Sequence, residues 1–228
     1  ELEMSKQAKQ VEIAARTHDV RIPAGIVILD GQLNIPKAAN GIVLFGHGFS
    51  NTRLNSYSQY IAETIRRGAN IGTLLFDLFI DKEKAEPLNN QRSFDTTLLA
   101  ERLIDVTSWV ANDDKTSHLP IGYFDTNTDG AALIAAAELG LRISAIVSCG
   151  GWSNLVGIPI LEQVKAPTLF IVAEYDAPSL KMNLEAYKWL QCEKELKIIP
   201  GAINLFEKPE TLKKVAQLTV EWFQQYYR

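Results

Sequence analysis

Polar residues follow four apolar runs of this 228-residue sequence, at positions where residue type and spacing could support chemistry. Residues 46–50 (GHGFS) follow the run Gly41–Phe45, and residues 125–130 (DTNTDG) follow Ile121–Phe124. Residues 174–176 (EYD) and 200–204 (PGAIN) follow two later runs. Because ligands of open α/β sheets bind beyond the carboxyl ends of the strands, we expect these four segments to assemble one functional site.

Asp125, Asn127 and Asp129 occupy alternate positions and are followed by Gly130, as in the first half of a calcium-binding loop. The match stops there, because Ala136 stands where an EF-hand has its last Glu ligand. The same residue types are also typical of a strand-to-helix turn in which Asp129 caps the helix. The segment therefore has two interpretations, a turn with a helix cap or a calcium site formed by Asp125, Asn127 and Asp129.

The histidines and cysteines are few and unevenly placed. The histidines are His18, His47 and His118, so none follows residue 118. Cys149 and Cys192 are too few for a disulfide framework or a thiolate zinc site, and both are of a type often buried as small hydrophobic residues. The Cys149 thiol and the His47 imidazole are the one such pair expected near the strand ends, and such a pair can supply a nucleophile and its base.

The elements that must position these residues are short apolar runs alternating with segments of helical period. The runs lack polar alternation, which is typical of strands buried on both faces of a parallel sheet. The predicted strands are Gly41–Phe45, Ile71–Phe76, Ile121–Phe124, Ala145–Cys149, Thr168–Ala173 and Leu196–Ile199. The predicted apolar helix faces are Leu99, Leu103, Val106 and Val110, then Leu180, Leu184 and Tyr187, and finally Leu212, Val215, Trp222 and Tyr226.

Residues Val20–Pro36 are predicted to form a hairpin with its tight turn at Asp30-Gly31. A hairpin followed by alternating strands and helices predicts an α/β fold with a doubly wound, mostly parallel sheet and an N-terminal antiparallel hairpin. We expect one domain over residues 18–228, after an extension of residues 1–17 whose first three are a cloning remnant ahead of Met4. The polar segment Asp81–Arg92 is predicted to be a solvated loop, with a lid over the site as the alternative.

Composition excludes several classes of protein. With 46% hydrophobic and 22% charged residues, the chain has enough apolar residues to form a folded core. The net charge of -4 and the lack of a basic cluster predict no nucleic-acid partner. No apolar stretch is long enough for a membrane span and no secretory signal opens the sequence, so we expect a cytoplasmic protein without a membrane partner.

The sequence resembles the dienelactone-hydrolase-like branch of the α/β-hydrolase superfamily over roughly residues 18–228. The matching segments, in the order expected for that family, are GIVLFGHG (41–48), TLLFDL (73–78), LAERL (99–103), IGYF (121–124), APTLFIV (166–172) and GAINLFEKP (201–209). The resemblance implies an α/β-hydrolase fold. It also implies a site built from a nucleophile turn, an acid after a later strand and a histidine after the last strand.

Two of the three catalytic positions implied by the resemblance carry other residues. Asn127 stands at the position of the nucleophilic serine, Asn204 stands at that of the histidine base, and Asp176 retains the acid. An Asn carboxamide is neither a useful nucleophile nor a base at neutral pH. The family further implies an oxyanion loop and pocket, and the residues at those positions are His47, Gly48, Phe49, Arg53, Thr128 and Cys149. His47 is expected to shape that loop by hydrogen bonds, and Arg53 could hold an anionic ligand or cap a helix.

We therefore expect a protein that has lost serine-hydrolase chemistry and acts without catalysis, binding a small-molecule ligand or a protein partner. Two alternatives remain at this point. The first is an ester or lactone hydrolase that uses Cys149 and His47. The second is a calcium-binding module at residues 125–130. Neither a cofactor nor a metal other than this calcium is expected.

Overall fold

The computed structural model describes residues 17–48, 52–85, 95–126, 128, 130–151 and 156–227. Within these ranges the chain forms eight β-strands and seven α-helices. The strands are β1 (His18–Ala24), β2 (Val27–Asn34), β3 (Ile42–His47), β4 (Gly72–Asp77), β5 (Ile121–Thr126), β6 (Ile143–Cys149), β7 (Thr168–Ala173) and β8 (Lys194–Ile199). The helices are α1 (Ser56–Ala69), α2 (Asp81–Ala85), α3 (Thr96–Asn112), α4 (Ala131–Leu139), α5 (Ile158–Leu161), α6 (Ala177–Trp189) and α7 (Pro209–Tyr226).

All eight strands form one sheet in the order β1-β2-β4-β3-β5-β6-β7-β8. The β1–β2 and β2–β4 pairs are antiparallel, and every pair from β4 to β8 is parallel. All residues of β3, β4, β5 and β7 are buried, as their continuous apolar runs predict for strands covered on both faces. The six predicted strands and the predicted fold class are confirmed.

Helices cover both faces of this sheet. On one face, α1 and α7 pack against each other and bury Ile61, Ile65, Val215 and Trp222. On the other face, α3 and α4 bury Leu99, Leu103, Val106, Val110 and Leu133. The apolar face predicted for α3 is thus confirmed. No helix of the described ranges is both long and apolar enough to cross a bilayer.

The turn of the N-terminal hairpin lies at Gly25, and the predicted turn at Asp30-Gly31 was wrong. Gly25 has a φ of 56°, a left-handed conformation that glycine adopts without steric cost. Asp30 and Gly31 instead lie inside β2, which pairs with β1 and β4. A Cβ atom on Gly31 would lie 3.2 Å from side-chain atoms of Ile22 and Leu74, so this glycine permits close packing against the core.

The buried face of α6 also differs from the prediction of Leu180, Leu184 and Tyr187. Leu184 is 43% exposed, and the buried residues of this helix are Ser179, Asn183 and Ala186. The Asn183 amide nitrogen donates 2.8 Å hydrogen bonds to the carbonyl oxygens of Gly151 and Ser179. These bonds tie the loop after β6 to α6, so a polar side chain rather than an apolar stripe determines which face of the helix is buried.

The first part of the predicted loop Asp81–Arg92 is the short helix α2. Its Glu83 accepts two hydrogen bonds from the buried guanidinium of Arg102 on α3, at 2.8 and 2.6 Å. Arg102 also donates to the Leu78 carbonyl oxygen at 2.5 Å. These contacts hold α2 against the protein, so the prediction of a solvated loop was wrong for residues 81–85. Residues 86–92, on which the lid hypothesis depends, lie outside the described residues.

Near the end of the chain, Tyr227 is buried at the amino edge of the parallel strands. Its hydroxyl donates to the Ile42 carbonyl oxygen at 2.9 Å. The ring occupies space that only glycines leave free, because a Cβ atom on Gly41 or Gly122 would lie 2.3 Å from Tyr227 atoms. The final turn of α7 is therefore locked against the first residues of β3 and β5.

Candidate functional site

The parallel strands end at one edge of the sheet, and most of the predicted site residues follow them there. β3 ends at His47, β5 ends at Thr126 and β6 ends at Cys149. Asp176 follows β7, and Asn204 follows β8. The backbone N–H of Tyr175 donates to the Ala202 carbonyl oxygen at 2.9 Å, so the loops after β7 and β8 are joined.

A cavity of about 140 Å³ lies at this edge and brings together three of the predicted residues. Asp176, Asn204 and Cys149 all line it. The other lining residues are Gly150, Ala173, Ile203, Leu205 and Phe206. We refer to it as the site cavity. Its lining residues combine one carboxylate, one amide and one thiol.

The side chains of Asp176 and Asn204 each accept a hydrogen bond from a backbone N–H group nearby in the sequence. Asp176 is the N-cap of α6, where its Oδ1 accepts a 3.2 Å hydrogen bond from the Ser179 backbone N–H. Asn204 is exposed, and its Oδ1 accepts from the Phe206 backbone N–H at 2.8 Å. The amide of Asn204 thus shapes the turn after β8.

His47 is fully buried and holds the end of β3 to its neighbours. Its Nδ1 lies 3.1 Å from the Phe76 carbonyl oxygen, and its Nε2 lies 3.0 Å from the Ser58 hydroxyl. Since a carbonyl oxygen only accepts, Nδ1 carries the proton and Nε2 accepts from Ser58. Burial lowers the pKa of His47 below its ordinary value, against the opposing effect of the Phe76 carbonyl and the Asp77 charge. The imidazole is therefore neutral and uses both nitrogens in structural contacts.

Arg53 forms an ion pair with Asp77, the last residue of β4. Its Nη1 donates to Asp77 Oδ2 at 2.7 Å, and its backbone N–H donates to Asp77 Oδ1 at 2.7 Å. Lys84 Nζ lies 3.2 Å from the same Oδ2. The guanidinium proposed to hold an anionic ligand is thus engaged with a carboxylate of its own chain.

The segment after β5 is described in part. Asp125 and Thr128 are both buried, and the Thr128 hydroxyl donates to Asp125 Oδ1. Asn127 and Asp129 of the predicted calcium site lie outside the described residues, as does Phe49 of the predicted oxyanion loop, whereas Gly48 is buried directly after β3. In the part of the chain that is described, no three His, Cys, Asp or Glu side chains come together as a metal site would require.

Cys149 is buried and lies two strands away from His47. Since β5 separates β3 from β6, their backbones are about 10 Å apart at the usual spacing of strands. Burial raises the pKa of the Cys149 thiol well above its ordinary range, and the negative charge of Asp125 raises it further. The thiol is therefore protonated at neutral pH, and both nitrogens of the imidazole that would have to activate it are engaged.

Four residues around the site were absent from the sequence-based site prediction. Phe206 lines the cavity, and the ring of Tyr57 on α1 stacks on it with centroids 4.2 Å apart. Ser58 bonds His47, and Asp77 pairs with Arg53. Asp77 directly follows a predicted strand and could have been found by the rule that identified the other segments, whereas Tyr57 and Ser58 carry no local signal.

Comparison with known proteins identifies the family. A dienelactone hydrolase from Anabaena variabilis is 43% identical in sequence, with a TM-score of 0.88 over 93% of this chain and 99% of its own. Est1E from Butyrivibrio proteoclasticus, 12% identical with a TM-score of 0.75 over 91% of this chain and 98% of its own, shares the fold.

A Mycobacterium tuberculosis protein named "putative phosphoribosyl transferase" is 43% identical over 209 residues. These residues make up 91% of this chain and 46% of the relative, so the chain spans about half the length of the curated relatives it matches. No family model matches the sequence. On its identity to the Anabaena protein and its coverage of nearly the whole of that structure, the chain belongs to the dienelactone hydrolase-like α/β hydrolases.

Proposed function

We propose that this chain is a non-catalytic member of its family that binds a small molecule in the site cavity. Asn127 and Asn204 stand at the nucleophile and base positions implied by the family pattern, and the Asp176 carboxylate keeps its place as a helix cap. A carboxamide at either position removes the proton transfer that serine chemistry requires.

The observation that carries this proposal is where the three histidines lie and what they contact. His47 uses both ring nitrogens to hold β4 and α1. His18 lies on β1, the edge strand opposite β8, and aligns through β2 with Leu74 in the middle of β4. His118 lies three residues before the start of β5, at the amino end of that strand and opposite the cavity. No histidine of the sequence is thus left to serve as a base beside Asp176.

The alternative of a Cys149/His47 hydrolase has less support. The two residues end strands that are not neighbours, and the thiol is held in its protonated form by burial and by Asp125. Calcium binding at residues 125–130 would compete with the Thr128 hydroxyl for Asp125 Oδ1. Ester turnover that depends on Cys149, or a rise in melting temperature with calcium, would establish one of these alternatives.

We infer that the transferase activity named for the M. tuberculosis relative belongs to the part of that protein outside the shared region. The site cavity is lined by no Lys or Arg among the described residues, and cationic side chains are the usual partners of phosphate groups. The matched region leaves more than half of that relative for such an activity.

The test is an activity assay with aryl esters and a fluorophosphonate probe, using the Anabaena relative as the matched control. We expect neither turnover nor labelling, since loss of triad members typically costs about 10⁴–10⁶ in kcat. Stoichiometric labelling of a serine at the site would overturn the proposal. Iodoacetamide labelling that disappears in Cys149→Ala and accompanies ester turnover would establish the cysteine hydrolase instead.

A further inference from the structure

We propose that the site cavity selects a small planar cation of the amidinium class, with the Asp176 carboxylate as its counter-charge. This inference rests on the proposed binding function and names the chemical class of its ligand. It depends on the charge, the hydrogen-bonding capacity and the size of the cavity.

Asp176 is the one charged residue that lines the cavity in the described part of the chain. Its Oδ1 accepts the 3.2 Å bond from Ser179, and neither oxygen forms an ion pair with a described residue. A carboxylate can accept about four hydrogen bonds, so most of its accepting capacity remains for a ligand. The family pattern implies that the catalytic histidine would use that capacity. Asn204 stands at the position of that histidine here, and its Oδ1 accepts from the Phe206 backbone N–H instead.

A second carboxylate, that of Asp125 on β5, lies opposite Ser148 of β6, the residue before Cys149. Asp125 is buried, and its charge is felt by the thiol of Cys149, which forms part of the wall. No Lys or Arg of the described residues lines the cavity, and Arg53 and Lys84 are paired with Asp77 at the end of β4. Asp176 caps the N-terminus of α6, where the helix dipole is equivalent to about half a positive charge. The full negative charge of the carboxylate exceeds it, so the cavity favours a cation over the carboxylates that ester hydrolysis would release.

The size of the cavity suits a compact group. A volume of about 140 Å³ is close to that of cavities that hold a benzene-sized molecule of about six heavy atoms. Phe206 contributes an aromatic ring to the wall, and such rings attract cations. A planar cation with two N–H groups on one side would match the two oxygens of Asp176 in the paired geometry that carboxylates favour.

The test uses three planar molecules of the same four-atom shape that differ in charge: acetamidinium, acetamide and acetate. Binding is followed by titration calorimetry and by amide chemical shifts of Ser179, Asn204 and Phe206. We expect acetamidinium to bind at least about tenfold more tightly than acetamide, with shifts at these residues, and acetate not to bind.

Asp176→Asn should reduce acetamidinium binding by about tenfold while keeping the helix cap, since Asn caps helices as well as Asp does. The matched control is Asp95→Asn, which changes the N-cap of α3, a residue that accepts from the Leu98 backbone N–H and lies outside the cavity. This variant should bind acetamidinium as the unaltered protein does.

Equal binding of acetamide and acetamidinium, unchanged binding in Asp176→Asn, or no binding of acetamidinium would each overturn the inference. These failures leave the non-catalytic proposal intact, because that proposal is decided by the ester and fluorophosphonate assays. Conversely, ester turnover would refute the non-catalytic role without changing the relative affinities of the three probes.

Discussion

Ser58 donates a hydrogen bond to His47 across 3.0 Å, and this contact joins the first turn of α1 to the end of β3. The same residue donates its backbone N–H to the side chain of Asn55, the N-cap of α1. Since His47 also donates to the Phe76 carbonyl oxygen on β4, one imidazole links a helix and two strands beside the site. The family's histidine–glycine loop is thus held here by a neutral, buried ring.

This arrangement predicts a loss of stability in mild acid. Folding lowers the pKa of His47 below its ordinary 6.5, so below that pH the unfolded chain takes up a proton that the folded chain resists. The free energy of unfolding should therefore fall as the pH drops below about 6.5, by at most about 1.4 kcal/mol per pH unit from this residue. Urea unfolding at pH 7.5 and pH 5.5 measures the change.

The contribution of His47 is isolated by comparing His47→Gln with His118→Gln, which alters an exposed histidine. The first variant should show a weaker pH dependence than the unaltered protein, and the second should match it. The explanation fails if His47→Gln retains the full dependence between these two pH values.

A pair of glycine substitutions tests the packing of Tyr227. Gly122→Ala should destabilise the protein by several kcal/mol, because its Cβ would lie 2.3 Å from the Tyr227 hydroxyl and 2.9 Å from the Ala145 carbonyl oxygen. Gly68→Ala, in the last turn of α1, brings a Cβ only to an ordinary 3.4 Å contact with Val220 and should be neutral or stabilising by up to about 1 kcal/mol. Thermal unfolding of both variants gives the comparison, and equal effects would contradict the packing described.

Calcium should leave the melting temperature unchanged. One carboxylate oxygen of Asp125 already accepts a hydrogen bond from the Thr128 hydroxyl. The positive end of the α4 dipole also disfavours a cation in the turn before that helix. Thermal unfolding with millimolar Ca²⁺ or Mg²⁺ tests this, since an ion that binds only the folded state must stabilise it. A rise with Ca²⁺ that disappears in the double variant Asp125→Ala, Asp129→Ala would establish the calcium site instead.

Rebuilding the triad should restore hydrolysis. The variant Asp125→Gly, Asn127→Ser, Asp129→Gly and Asn204→His supplies a nucleophile and a base beside Asp176 and removes two flanking carboxylates that would repel an oxyanion. We expect measurable esterase activity, far below that of a natural enzyme because the surrounding side chains do not hold the new triad in a fixed geometry.

Asn127→Ser alone should stay inactive, since a serine without a base is a weak nucleophile. Adding Asp176→Asn to the rebuilt variant should remove most of its gain, by analogy with other triads that lose their acid. A folded rebuilt variant with no activity on activated esters would show that residues 127 and 204 are not the catalytic positions.

The parallel sheet could be predicted because its strands are buried on both faces and read as continuous apolar runs. The hairpin turn could not, because the preference of Asp30-Gly31 for a tight turn is overridden by the packing of Gly31 against Ile22 and Leu74. The face of α6 was mistaken for a related reason, since the buried Asn183 bonds a distant loop and a polar residue gives no signal in an apolar pattern.

Of the candidate site, only the residues at the ends of the strands could be predicted from the sequence. Asp176, Asn204 and Cys149 line one cavity because each lies at or beyond the carboxyl end of a parallel strand. The partners that define their chemistry come from elsewhere in the chain, as Tyr57 and Ser58 do from α1. Such contacts depend on how a helix is docked, and no local pattern encodes them.

The packing of Tyr227 against the first residues of β3 and β5 has a consequence for synthesis of the protein. Its hydroxyl bonds the carbonyl of Ile42, a residue 185 positions earlier, so the amino edge of the sheet stays open until nearly the whole described chain is available. During translation β3 and β5 leave the ribosome long before α7 can cover them, and contacts of such long sequence separation form slowly. A ribosome-bound chain that still lacks the end of α7 should therefore expose the apolar face that Trp222 and Phe223 later cover, and chaperone binding should end when Tyr227 emerges.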